Sequence, residues 1–340
     1  MKTMLRLLLG SFTLLCLQAA MPIPAAGADA TTTADSAKPD LSSLKYGLAI
    51  HFGTATFADP GEQGTIPAER FAPTALDVKS WVHAAKEAGM TFAMLIVKHE
   101  SGFCLWNSAD YDYDIAHSPV KTDIIGDFIA ACNAEGIVPG VQYSIPDAYN
   151  EGVIRRKGPV PPPYFSVIKR HVTELHTMYP GIRVQIFDDD GLRLTPAQYH
   201  ELCQIIQQLN PQCVILNHNY EPRHVSATVI KSWMWRPNAQ LNTADQLIQR
   251  YNQSQMTGRS FTLSVGPDST GTIPASQIAV LMDMKNLIAN PPPAGSPAPA
   301  DNSAKPDAAE RLKQLKSLYD QGLINKDDYD KKVKEVMDSL

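Results

Sequence analysis

The chain has 340 residues, 44% apolar and 19% charged, which is enough to bury a large core and excludes chain-long disorder, a collagen-like repeat or a continuous coiled coil. Acidic residues number 35 against 30 basic ones, a net charge of -5, so the broad basic footprint of a DNA- or RNA-binding protein is missing. Length alone fits one large domain or two ordinary ones.

At the N-terminus, Lys2 and Arg6 precede an apolar run from Leu7 to Met21, and small residues follow through Ala28. This is the order of a secretory signal peptide, with Ala26-Gly27-Ala28 as the cleavage site. The run is shorter than the ~18 residues that a membrane span requires. Export to the periplasm or the medium is expected, with residues 1–28 removed and no stable membrane span. Residues 29–43, rich in Ala, Thr, Ser and Asp, read as a flexible tether. Four cysteines remain: Cys104, Cys132, Cys203 and Cys213. None is part of a CxxC pair. The short Cys203-to-Cys213 loop is a candidate disulfide, and buried thiols are the equal alternative.

A regular pattern runs over residues 44–290. The apolar runs Gly47-to-Phe52, Phe92-to-Val97, Val138-to-Ile145, Ile182-to-Phe187 and Cys213-to-Leu216 read as buried strands, with further strands at Val229-to-Trp235 and Phe261-to-Val265. Helical spacing lies between them. Trp81, Ala84, Ala85 and Ala88 share one face before Gly89, and Ile124, Ile125, Phe128, Ile129 and Cys132 share another before Gly136. A helix–glycine–strand unit thus recurs at Gly89, Gly136 and Gly181, a period of about 45 residues that argues for βα units and a parallel sheet. Seven or more strands, with no GxGxxG after the first, predict an α/β fold of the (β/α)8-like, TIM-type barrel class.

Past Asn290 the composition shifts. Residues 291–306, with Pro291, Pro292, Pro293, Pro297 and Pro299, read as an extended linker. Residues 307–340 predict a small two-helix hairpin. Leu312, Leu315, Leu318 and Tyr319 line its first face; Tyr329, Val333, Val336, Met337 and Leu340 line its second. So small a unit cannot bury a core alone, so it is expected to dock on the barrel or to form a homo-oligomer.

In a parallel barrel the C-terminal strand ends build the site. Those ends carry His51, Lys98, His99, Tyr143, Asp188 to Asp190, Asn217, His218, Trp233 and Trp235. Carboxylates can act as nucleophile and proton donor, and aromatic faces stack on sugar C–H surfaces. The mixture suits a carbohydrate better than a phosphorylated substrate. The run of three aspartates lacks the spaced D-x-D-x-D pattern of a calcium loop, so neither metal nor organic cofactor is expected.

The order of motifs carries a resemblance. KYGLAIHFG at Lys45 to Gly53, FAPTALDVKSWVHAAKEAGMTFAMLIVKHESGFCLWNS at Phe71 to Ser108, and DIIGDFIAACNAEGIVPGVQYSI at Asp123 to Ile145 follow one another. IFDDDG at Ile186 to Gly191, SWMW at Ser232 to Trp235 and LSVGPDSTGTIP at Leu263 to Pro274 complete the series. It resembles glycoside hydrolase family 29, the α-L-fucosidases, over about residues 44–285. Asp188 matches the family's nucleophile. His51 and His99 match histidines that contact sugar hydroxyls. Trp106 matches the wall of the LW pair, and Tyr143 the Tyr-Ser of the third strand. Glu100 stands where the family has a second histidine, and Ser101 where it has an aspartate. His218, Trp233 and Trp235 complete the expected substrate-binding set.

For the acid/base the candidate is Glu221, in NYEPRH, with Glu100 as the rival and Glu62 and Glu69 as remoter choices. The segment ERLKQLKSLYDQGLINKDDYDKKVKEVM resembles the short C-terminal domain called SHOCT, which implies assembly and not chemistry. Together these readings imply a retaining exo-glycosidase, an α-L-fucosidase, acting on a fucosylated glycan or other carbohydrate. The alternatives are a catalytically inactive carbohydrate-binding or assembly protein on the same barrel, or a glycosidase for another sugar.

Overall fold

The structure is a computed structural model that describes residues 38–62, 65–151, 158–189, 192–217 and 224–291, together with Lys316, Lys326, Asp330, Val333 and Met337. The proposed signal peptide, most of the tether and the linker beyond Pro291 lie outside the described residues, as do His218 and Glu221. Within the predicted hairpin, the five described residues have helical backbone, and Lys326 Nζ donates to Asp330 Oδ2 at 2.7 Å one turn away.

In chain order the elements are β1 (Tyr46–Ile50), α1 (Val78–Glu87), β2 (Phe92–Lys98), α2 (Ile124–Glu135), β3 (Val138–Ser144), α3 (Ala148–Glu151), β4 (Gly158–Pro159) and α4 (Pro162–Met178). They continue with β5 (Val184–Asp188), β6 (Leu192–Arg193), α5 (Pro196–Leu209), β7 (Val214–Asn217), β8 (His224–Thr228), α6 (Ala244–Met256), β9 (Ser260–Val265) and α7 (Ala275–Ala289). Local chemistry fixes several boundaries. Asp77 caps α1 by accepting from Ser80 N, and Asp123 caps α2 by accepting from Gly126 N. Thr195 with Gln198 and Thr243 with Gln246 form capping boxes on α5 and α6. Gly89 and Gly136 end α1 and α2 at φ 74 and φ 68, a conformation that costs glycine nothing. Gly181 serves a different purpose: a Cβ there would lie 2.7 Å from Ile129 Cγ2, so it admits α2 against the chain.

Among the described residues seven strands form one all-parallel sheet in the order β7-β5-β3-β2-β1-β9-β8, while β4 and β6 make a separate two-residue ladder. This is an α/β fold with parallel strands in a half-barrel, and the chain neighbours β7 and β8 stand at its two ends. The sixth strand of the sheet is His224–Thr228, not the Val229-to-Trp235 run expected from hydrophobicity. Only Val225 and Ala227 of this strand face the helices, so its apolar signal is weak. The more apolar residues after it form a turn, in which Lys231 N donates to Gln240 O at 2.8 Å.

The two faces of the sheet carry different cores. Leu48, Ile50, Leu95, Val97, Val141, Tyr143, Phe187 and Leu263 pack with the helices in the large outer core. Ala49, Phe92, Met94, Ile96, Val184, Ile186, Val214 and Leu216 form a small core on the inner face. Strand alternation sorts the residues in this way. Cys203 and Cys213 are thiols, so the candidate disulfide is not formed. Burial pushes the Cys213 thiol up to about 12.

Candidate active site

Parallel pairing places register partners on the same face. Ser144 pairs with Asp188, and Gln142 pairs with both Ile96 and Ile186 of the inner core. Asp188 therefore closes β5 on the inner face. Ser144 Oγ donates to Asp188 Oδ2 at 3.3 Å and Gln142 Nε2 reaches the same oxygen at 3.4 Å. Behind the carboxylate, Ile145 N donates to Asp188 O at 2.7 Å, locking the two strand ends together. Asp189, the next residue, is fully buried. Sequence reasoning passed over Gln142 and Ser144, although alternation from the glycine of VPGVQYS marks them as inner-face residues.

A bulge shapes the end of β2. Ile96 pairs with Gln142 while Lys98 pairs with Tyr143, so β2 spends two residues where β3 spends one. Val97 and Lys98 consequently both point to the helices, and His99 turns inward. The His99 ring meets the His51 ring edge to face, with centroids 5.6 Å apart. Trp233 also lies against His51, its ring centroid 5.2 Å away and 47% of its surface exposed. An indole in that position offers an open aromatic face beside the His51 imidazole.

The imidazoles are electrostatically tuned. Burial, followed by the neighbouring His99, holds His51 well below the usual histidine range. Burial pulls His99 down to about 4; the Asp188 carboxylate opposes the shift and the Lys98 ammonium adds to it. Two neutral rings, each with a donor and an acceptor nitrogen, suit the recognition of hydroxyl groups better than of an anion.

Other expected site residues are placed elsewhere. Tyr143 faces the helices, fully buried, with its hydroxyl 2.9 Å from His171 Nδ1 on α4. Trp106 is also behind the sheet: its Nε1 donates to Glu174 Oε2 at 2.8 Å and its ring meets His171 edge to face. Both residues follow the motif in sequence, but the outer core claims their side chains, for Tyr143 through strand parity.

Glu100 is half-buried in the turn after β2, and its carbonyl accepts from Ala148 N at 2.8 Å. Trp235 is half-buried on the loop with Trp233; a Cβ at Gly266 would lie 2.8 Å from its backbone nitrogen, so the loop packs directly on the chain after β9. Glu62 is tied up by Arg70, whose Nη1 donates to Oε1 at 2.8 Å. The Asp59 backbone N–H and that guanidinium lower its pKa, the wrong direction for a proton donor. Glu69 is exposed. Among the described residues, no group of three or more His, Cys, Asp and Glu side chains could hold a metal ion.

A rice relative (Oryza sativa subsp. japonica) is 28% identical over 306 residues, covering 73% of this chain and 58% of its own length. Alpha-L-fucosidase 1 of Arabidopsis thaliana is 26% identical over 298 residues, covering 71% and 58%. The chain thus spans less than two thirds of these plant proteins. In fold it is similar to alpha-L-fucosidase AlfC of Lactobacillus casei, solved in complex with alpha-L-fucose product: TM-score 0.60, 22% identity, 73% of this chain and 96% of that one. The family described as alpha-L-fucosidase matches residues 45–222, the span that carries His51, His99, Ser144 and Asp188. With just over half of its length inside that match, the chain belongs to the α-L-fucosidase family.

Proposed function

We propose that this chain is an exported retaining α-L-fucosidase that removes terminal α-L-fucose from a glycan. The observation that carries the reading is the inner-face carboxylate of Asp188, oriented by Ser144 and Gln142 close to the neutral His99. Asp188 attacks the anomeric carbon as the glycosidic oxygen leaves with a proton from a carboxylic acid. Water deprotonated by the same group then releases the sugar with retained configuration. Glu221 is the candidate for that acid/base on its sequence position, with Glu100 as the alternative. His51 and His99 bind sugar hydroxyls, and Trp233 supplies a stacking face, with Trp235 and His218 in the same substrate-binding set.

The same proposal includes closure of the half-barrel into a complete (β/α)8-like barrel, cleavage after residue 28 during export, and a SHOCT-like hairpin over residues 307–340 that mediates self-association. Asp188→Ala is expected to abolish turnover of nitrophenyl α-L-fucoside; undiminished activity would remove the mechanism. Calorimetric binding of fucose by the wild-type protein without any turnover would favour a carbohydrate-binding protein instead. Turnover of another nitrophenyl glycoside alone would reassign the sugar.

A further inference from the structure

Directly behind the candidate site, a lysine ammonium is buried with a carboxylate. Lys98 and Asp147 are both inaccessible, with Nζ 3.2 Å from Asp147 Oδ2. Lys98 Nζ also donates to the carbonyl of Ser144 at 2.8 Å and of Pro146 at 3.3 Å, and lies 4.6 Å from the centre of the Tyr143 ring. Asp147 in turn accepts from Tyr111 Oη at 2.9 Å, Tyr164 Oη at 3.4 Å and Asn150 N at 2.9 Å. Apart from the exposed Asn150, whose backbone N–H caps Asp147, the partners of this pair are buried, so the pair is a fixed structural point and not a surface contact.

We infer that the Lys98–Asp147 pair is a positioning device that aims His99 and Asp188 into one site. Without the bulge, alternation from Ile96 would turn Lys98 inward and His99 towards the helices. The buried carboxylate draws Lys98 to the helix side, and the bulge delivers His99 to the inner face. The same ammonium holds the Ser144 carbonyl, and the Ser144 hydroxyl holds Asp188 Oδ2. One cation therefore sets the end of β2 and, through Ser144, the carboxylate at the end of β5. Its catalytic consequence rests on the fucosidase reading; its effect on His99 does not.

Around Lys98 and Asp147 stand Tyr111, Tyr143, Tyr164, Cys104 and His171. Around His99 stand His51, Asp188 and the adjoining Lys98 and Glu100. Of these, Asp188 favours the protonated imidazole and Lys98 disfavours it. Removing the ammonium should therefore raise the His99 pKa, and a ring released towards water would move the same way.

The test is Lys98→Met/Asp147→Asn in the full chain, which removes both charges together and avoids leaving one ion buried alone. Labelled-histidine NMR, assigned with His99→Gln, is expected to show His99 titrating about one unit above the wild type. The kcat/KM for nitrophenyl α-L-fucoside is expected to fall about 100-fold, as for a misplaced reacting group. A folded double variant with wild-type His99 titration would overturn the inference. A shifted His99 with undiminished kcat/KM would overturn its catalytic part. Lys98→Gln/Asp147→Asn, which keeps an amide donor for the Ser144 carbonyl, decides the matter if the first variant does not fold; the same His99 shift with a smaller loss of turnover is expected. A wild-type protein without fucosidase activity would sink the proposed function, while the His51–His99 ring contact, followed by NOEs in the same labelled protein and needing no substrate, would still judge the positioning: its loss in the double variant is expected, and its survival would overturn the inference.

Discussion

The imidazoles of His51 and His99 meet edge to face at 5.6 Å, and burial keeps both neutral. Two further histidines, His171 and His176, are almost completely buried and titrate at about 3 and about 4. In the unfolded chain these rings take up protons near pH 6.5, which the fold refuses. Stability is therefore full above about pH 6.5 and falls as the pH drops towards 4. His171 and His176 should each remove on the order of 1–2 kcal/mol by pH 5. Thermal melts at pH 7.5 and pH 5 should show a clearly lower transition in acid; coincident curves would contradict the neutral, buried state.

Ser144 reaches the carboxylate of the nucleophile candidate through its hydroxyl. Ser144→Ala removes a hydrogen bond to an ionised group, worth about 1.5–3 kcal/mol. A fall in kcat of about 10-fold or more is expected for nitrophenyl α-L-fucoside, with KM little changed. An unaltered kcat would mean that Asp188 does not depend on this contact.

Trp233 is half-exposed beside His51 and has no structural burden comparable to that of Trp81 or Trp106, which are fully buried. Trp233→Ala should raise KM about 10-fold through lost stacking while leaving kcat within about twofold. Steady-state kinetics separate this outcome from a folding defect, which would lower the active fraction without changing KM.

Gly102 adopts φ 93 in the turn after β2, a region that side chains with a Cβ rarely enter. A Cβ there would collide with the Asp147 carboxylate and lie 2.7 Å from Tyr149 Cβ. Gly102→Ala should cost about 2–4 kcal/mol in denaturant unfolding, since backbone strain and a displaced buried ion pair act together. Activity should fall as well, because the disturbed carboxylate is the partner of Lys98. An unchanged unfolding midpoint would show that the turn has room that this geometry denies it.

Much of this protein could be read from residue order. Alternating apolar runs and left-handed glycines at 89 and 136 marked the βα units, and the motif series placed Asp188, His51 and His99 at strand ends. Those features are local: periodicity, capping and turn chemistry act over a few neighbouring residues, so they leave a direct trace in the chain. Which way a side chain points is settled by pairing across strands. The bulge between Ile96 and Lys98 cannot be seen in KHESGF, yet it exchanges the faces of Lys98 and His99. Register with β5 brings Gln142 and Ser144 to Asp188 and leaves Tyr143 with His171 behind the sheet. The polar strand His224–Thr228 leaves little trace for a related reason: only Val225 and Ala227 join the outer core, and pairing with β9 defines the strand. Local chemistry thus wrote the elements into the sequence, whereas the composition of the site was decided by long-range hydrogen-bond register, which no short stretch of sequence encodes.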